Sequence, residues 1–382
     1  MVFTRKRVHA VSLELLQAHS GAPSARIARP AAAGFSSGGR IHHRMEIGMT
    51  NRRLGLFASG LLIAMLPLAA AVAQTTTLKA SHQFPGGKGD VRDEMVQMIA
   101  RDVAAANVGL EIKVYPGSSL VKAQEQWKAM QTGQIDMTSF PLDYASGFHP
   151  QFGATLMPGL VKNHDHAQRV NASPFMQEIK SIIEQGGAHV LADAWLAGAF
   201  GSKDKCIRKP EDAAGLKVRS AGSTFAQMWA GAGASIVSIP SNEVYNALQQ
   251  GVAQATDTSS GSFVSFRLYE QVKCLTAPGD NALWFMYEPV LVSKRSWDKL
   301  NDAQKKALTT ASKKAEAYFN TESKKLDDEM VEIFKKNKVE VVTLNAAEAD
   351  AWRAVAQKTS YKAFAEKVPG GKELIEKALS VK

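Results

Sequence analysis

Cysteine is scarce in this sequence: its 382 residues contain only Cys206 and Cys274. No CxxC pair is present, which speaks against thioredoxin-like redox chemistry. A dinucleotide fingerprint is missing too. Gly86 and Gly87 precede a helical stretch, but the full GxGxxG is absent, and no acidic residue follows a second strand at the spacing a ribose needs. No GxSxG elbow surrounds Ser259-Ser260-Gly261-Ser262, and no histidine is placed to complete a triad with Asp257. His164 and His166 stand two apart in the first turn of a helix, so they share no face and suit a metal poorly. Both are expected to be solvent-exposed. No catalytic residue, metal site or cofactor is expected.

The excess of positive charge is mostly confined to one end. The formal net charge is +10, from 46 basic and 36 acidic residues. Residues 1–73 supply nine of the former and two of the latter, so the remainder carries 37 against 34, a net of +3. Nothing in that balance argues for nucleic acid. Met49–Ala73 has the parts of a secretory signal: Arg52 and Arg53, the apolar run Leu54–Ala70, and a small-x-small site at Ala71-Val72-Ala73 before Gln74. Cleavage there is expected, the alternative being an uncleaved membrane anchor. Residues 1–48 show no sustained period, and the start is read at Met49. Export would permit a Cys206–Cys274 bridge; two buried thiols are the alternative, and both remain open.

Strands and helices then alternate. Thr77–His82, Leu110–Tyr115 and Ile135–Phe140 read as strands, with helices over Asp90–Ala106 and Leu120–Gln131 between them. One helix is expected from the Asn163 cap to Gln185. The stretch Pro210–Asp257 repeats the rhythm, with Arg219 closing the strand Leu216–Arg219. This is an α/β chain with largely parallel sheet. Two apolar stretches, near residues 196–202 and Asn281–Ser293, read as crossings between lobes, the second as one long strand. The lobes are therefore interleaved: 74–198 in the first, 199–282 in the second, 283–322 back in the first, and 323–382 in the second with the C-terminal helices. Asn301 and Gln304 form a capping box for a helix running to about Lys336, long enough to span both lobes.

Several segments carry a family likeness: VYPGSSL at Val114–Leu120, MQTGQIDM at Met130–Met137, KPEDAAGLKVR at Lys209–Arg219, NEVYNALQQGV at Asn242–Val252, and LVSKRSWDKLNDAQKKAL at Leu291–Leu308. In this order, after a signal peptide, they resemble the dicarboxylate-binding (DctP) type of substrate-binding protein of tripartite ATP-independent periplasmic (TRAP) transporters. The resemblance implies a two-lobed periplasmic binding protein fold with hinge strands and a spanning helix. It also implies a monomer in the periplasm that passes a small carboxylate to the small and large membrane subunits of a permease. Arg219 holds the place of the arginine that usually pairs with the substrate carboxylate. Ala199 stands where many sialic-acid-type members carry a second arginine. Asp257 and Thr258 replace the usual acid and amide of a DGxEN segment, and Gln83 takes a lining position.

Arg219 also stands out without the resemblance. Its planar fork can hold both oxygens of a carboxylate, and at a strand end between lobes it would need an anion. The competing reading is a structural ion pair with Asp257. Among aromatics near the crossings, Trp195, Phe263 and Phe140 are candidate ligand contacts, with core packing the alternative for each. One arginine and several rings lean towards a monocarboxylate with an apolar, aromatic, hydroxy or keto body. Rival functions are a binding protein for an ABC transporter or a sensor, and an exported hydrolase.

Overall fold

Apolar alternation makes a strand of Thr76–Ser81 (β1), whose Leu78 and Ala80 are buried. The computed structural model describes residues 75–87 and 89–382; the leader and signal segment lies outside the described residues. Asp90 caps Val91–Ala105 (α1) by accepting from the Arg92 amide at 2.9 Å. Leu110–Tyr115 (β2) and Met137–Ser139 (β3) flank β1, both parallel to it, with Gln126–Thr132 (α2) between them in sequence. Where one helix is expected next, two form: His164–Asn171 (α3) and Pro174–Gln185 (α4). Pro174 has no N–H to continue the first helix, and Ser173 caps the second by accepting from Met176 at 3.3 Å.

His166 corrects a further expectation. It is buried, not solvent-exposed, and its Nε2 lies 3.0 Å from the Val381 carbonyl because the C-terminal end of the chain returns to α3. His164 is half-buried and pairs with Asp327 at 3.0 Å.

Ala188–Ala192 (β4) and Trp195–Ser202 (β5) lead to the second lobe. There follow Lys217–Arg219 (β6), Ser223–Gly231 (α5), Ser235–Val237 (β7), Val244–Gln249 (α6), Ala255–Ser259 (β8), Ser260–Ser265 (α7) and Cys274–Ala277 (β9). The return passes through Phe285–Tyr287 (β10) and Val290–Ser293 (β11), two strands where one is expected. Pro289 lies between them and offers no N–H to a ladder. Lys294–Trp297 (α8), Asp302–Lys336 (α9), Glu340–Thr343 (β12), Ala346–Ala356 (α10), Lys362–Lys367 (α11) and Gly371–Leu379 (α12) complete the chain.

Two sheets result. The first runs β2-β1-β3-β11-β4; the second runs β12-β9-β5-β8-β6-β7, with β10 beside β5. The fully buried β5 joins them. Its first three residues pair with β10, and the rest pair with β8 and β9. The 35-residue helix α9, with its Asn301–Gln304 box, crosses both lobes. Leu308, Ala311, Ala315 and Phe319 join the core beneath β1 and β11, while Met330 and Phe334 join that of the second lobe. This is the interleaved, two-lobed α/β architecture the sequence implies. Among the described residues, no helix is long and apolar enough to cross a membrane.

Cys206 and Cys274 are joined in a disulfide, with Cα atoms 5.1 Å apart, which ties the segment after β5 to the start of β9. The bridge closes a loop with a sequence separation of 68. Closing so long a loop restricts the unfolded chain. Cys206→Ser with Cys274→Ser should therefore lose about 2–4 kcal/mol of unfolding free energy. Denaturant curves of the two proteins measure it; coincident midpoints would show that the bridge contributes nothing.

Candidate ligand-binding site

The parallel strands β1, β3 and β6 end in polar residues, and small molecules bind beyond the carboxyl ends of such strands. Arg219, the last residue of β6, is fully buried at 0 % exposure. Its Nε donates to the Ile239 carbonyl at 2.9 Å and its Nη1 to the Asp257 carbonyl at 2.7 Å; Nη2 reaches the Tyr144 hydroxyl at 3.4 Å. A guanidinium has five N–H donors. Three are engaged by neutral oxygens, which leaves one on each terminal nitrogen, a pair suited to the two oxygens of a carboxylate. Among the described residues, no carboxylate accepts from Arg219.

Asp257 is not the missing partner. Its carboxylate faces other donors: Ala221 N at 2.9 Å, Trp229 Nε1 at 2.7 Å and Trp284 Nε1 at 3.1 Å. Burial raises its pKa, an effect the Arg219 charge and these hydrogen bonds only partly offset. Asp257 thus fixes the geometry around Arg219 through its main chain, and its side chain ties β8 to α5 and to the return segment.

Other polar groups stand without protein partners. The Gln83 amide is buried with neither Oε1 nor Nε2 hydrogen-bonded, and the same holds for the hydroxyls of Ser81, Ser139 and Ser220 and for Asn242 Oδ1. Ser81 ends β1, Ser139 ends β3, and Ser220 follows β6. Buried polar atoms are nearly always paired in native proteins, so groups like these are expected to meet a ligand or water. Near the end of β6 the first lobe reaches across to the second. Tyr144 accepts from Ser241 N at 3.0 Å, and Ser118 Oγ lies 3.4 Å from Asn242 Nδ2. Asp143 abuts Gly222 at the start of α5, so closely that a Cβ there would overlap its carboxylate.

The family model for bacterial extracellular solute-binding protein, family 7 (DctP), matches residues 89–367. A solute-binding protein of Albidiferax ferrireducens is 38% identical over 331 residues, covering 86% of this chain and 98% of the relative. The crystal structure of a TRAP periplasmic solute-binding protein from Rhodoferax ferrireducens, with bound malonate, aligns at a TM-score of 0.77. It is 37% identical and covers 80% of this chain and 98% of its own. The C4-dicarboxylate-binding periplasmic protein DctP of Rhodobacter capsulatus is 25% identical over 316 residues, 80% of this chain and 92% of that protein.

The chain belongs to the DctP family. It is a TRAP-type solute-binding protein, and the candidate site residues fall into two groups. Arg219 and Gln83 are buried with donors or acceptors to spare. Thr258 lies buried on β8 opposite Ala199 of β5, so the small residue in the second-arginine position packs within the sheet. Trp195, Phe140 and Phe263, offered as ligand contacts, have the surroundings of core side chains. The Trp195 indole donates to Asn171 at 2.7 Å and its ring lies 5.1 Å from that of Tyr287. Phe140 packs on Trp127 and Tyr144, and Phe263 on Phe334 of α9. Tyr144, Ser139, Ser220 and Asn242 are not singled out by sequence reasoning. Their one signal is position, at a strand end or on the first turns beyond it.

Burial pushes the Asp143 carboxyl up to about 7, with the like charge of Asp257 adding to the effect and the Ser146 hydrogen bond opposing it. A carboxyl raised in the folded state binds its proton more tightly there than in the unfolded chain. Its stabilisation is present at low pH and is lost as pH climbs from about 4 towards 7. Asp143→Asn removes that titration. The variant should gain on the wild type between pH 5 and pH 8, by at most about 3 kcal/mol. Urea curves at the two pH values test this; a constant difference would mean that Asp143 does not titrate there.

Proposed function

We propose that this protein captures an organic acid in the periplasm and hands it to the small and large membrane subunits of a TRAP permease, without chemical turnover. The carrying observation is Arg219: a fully buried guanidinium that three neutral oxygens orient and that, among the described residues, hydrogen-bonds to no carboxylate. A charge so placed is costly unless an anion joins it. The signal-like character of Met49–Ala73, read from the sequence, supports the location.

The buried polar groups without protein partners narrow the class. Gln83, Ser139 and Ser220 are neutral and can both donate and accept, which favours a carboxylate whose other end bears a hydroxyl or keto oxygen. A short dicarboxylate is the second reading, favoured by the malonate in the Rhodoferax ferrireducens protein. In either case one carboxylate sits on Arg219 and the rest of the molecule meets neutral groups.

Arg219→Ala should weaken binding by at least about 100-fold, since hydrogen bonds to a charged group contribute about 1.5–3 kcal/mol each and 1.4 kcal/mol is tenfold in affinity. Arg219→Lys should recover part of the loss, because an ammonium keeps the charge without the fork. Calorimetric titration with short hydroxy, keto and dicarboxylic acids, beside a melting curve, decides it. A folded alanine variant with wild-type affinity would remove Arg219 from the site and the proposal with it.

A further inference from the structure

We infer that Tyr144 is a second carboxylate ligand, a neutral donor from the first lobe that closes on the anion held by Arg219 of the second. The inference rests on the carboxylate reading of Arg219. Tyr144 lies in the short helical turn after β3, and its ring stands edge-on to Phe140 with centroids 6.0 Å apart. Phe140 is itself locked against Trp127. That packing holds the phenol in place while its oxygen reaches the other lobe.

The hydrogen bonds then specify what the hydroxyl can do. Its oxygen accepts from Ser241 N at 3.0 Å and stands 3.4 Å from Arg219 Nη2. Both approaches use acceptor lone pairs, because an amide N–H and a guanidinium N–H can only donate. The phenolic hydrogen is left to donate, and among the described residues no acceptor takes it. That hydrogen can be aimed beside Arg219 Nη2, and an oxygen of the carboxylate on Arg219 would be there to accept it. The anion would then receive N–H donors from one lobe and an O–H donor from the other, so its binding energy is available only when the lobes are closed. Tyr144 thereby supplies the second donor where Ala199 has none. Such a donor set accepts a carboxylate and disfavours its amide, whose NH2 would face donors on every side.

Tyr144→Phe keeps the ring and its packing and removes only the hydroxyl. Against the tightest binder in a panel of short hydroxy, keto and dicarboxylic acids that includes malonate, its Kd should rise about tenfold. Stopped-flow measurements should place the change in dissociation, with the association rate within about twofold of wild type, because the contact forms after capture. The ligand-free melting temperature should not move. Wild-type affinity in Tyr144→Phe would overturn the inference while leaving Arg219 in place. So would a loss that appears in association together with a lower ligand-free melting temperature, since the hydroxyl would then merely order its loop. If the wild type binds no acid in the panel, or Arg219→Ala binds as well as wild type, the carboxylate reading fails and takes this inference with it.

Discussion

A guanidinium held away from water and from every carboxylate of the described residues is the constraint on which the site depends. Arg219 is not left bare: the carbonyls of Ile239 and Asp257 accept from it and set the direction of its fork. Carbonyl dipoles orient a cation without cancelling its charge. The nearby acid that could cancel it, Asp257, is occupied by two indole N–H groups and a main-chain amide. Three large buried side chains, Trp229 and Arg219 of the second lobe and Trp284 of the return segment, are thus organised around one aspartate in β8. The arrangement keeps the acid and the guanidinium close in space, joined through the Asp257 carbonyl and not through its carboxylate.

The hinge uses the opposite solution. Arg92 of α1, also fully buried, is saturated with partners. Asp90 takes it in both oxygens at 2.9 and 2.7 Å, Glu288 of the return segment accepts at 3.1 Å, and Ser259 and Ser262 of the second lobe lie at 3.0 and 3.1 Å. The guanidinium also lies 3.7 Å from the centre of the Phe84 ring. A buried cation with two carboxylates and a full set of hydrogen bonds joins the parts of the chain that must stay together. One arginine therefore serves the framework, and the other remains available to a ligand. The difference lies in their neighbours, not in their burial.

That difference also marks what can be read from a sequence. The Asn301–Gln304 and Asn345–Glu348 capping boxes, the long helix and the strand ending in Arg219 are local, and local chemistry specifies them. The breaks at Ser173-Pro174 and Pro289 are local too, and attention to proline finds both. By contrast, the partners of Tyr144 lie 75 and 97 residues away, across the gap between lobes, and nothing in a short window signals them. The burial of His166 depends on the far end of the chain in the same way. Aromatic residues are the hardest case. A ring beneath a sheet and a ring against a ligand have the same neighbours in sequence, so Trp195 and Phe263 could not be told from core by composition.

The charge balance of the two arginines bears on how the lobes move. Closing the lobes on an empty site would bury Arg219 with no carboxylate on its open fork, whereas closing them on a carboxylate would place an anion there with additional donors around it. The first state carries a desolvation penalty that the second largely offsets. A ligand shifts a conformational equilibrium only by the difference in its affinity for the two states, and on the proposed reading that difference is the charge itself together with the Tyr144 hydroxyl. A neutral molecule of the same shape would fill the space without supplying the anion, and the closed state would stay unfavourable. On the proposed reading, selection of an acid and closure of the lobes are the same electrostatic event, because no carboxylate of the described residues accepts a hydrogen bond from Arg219.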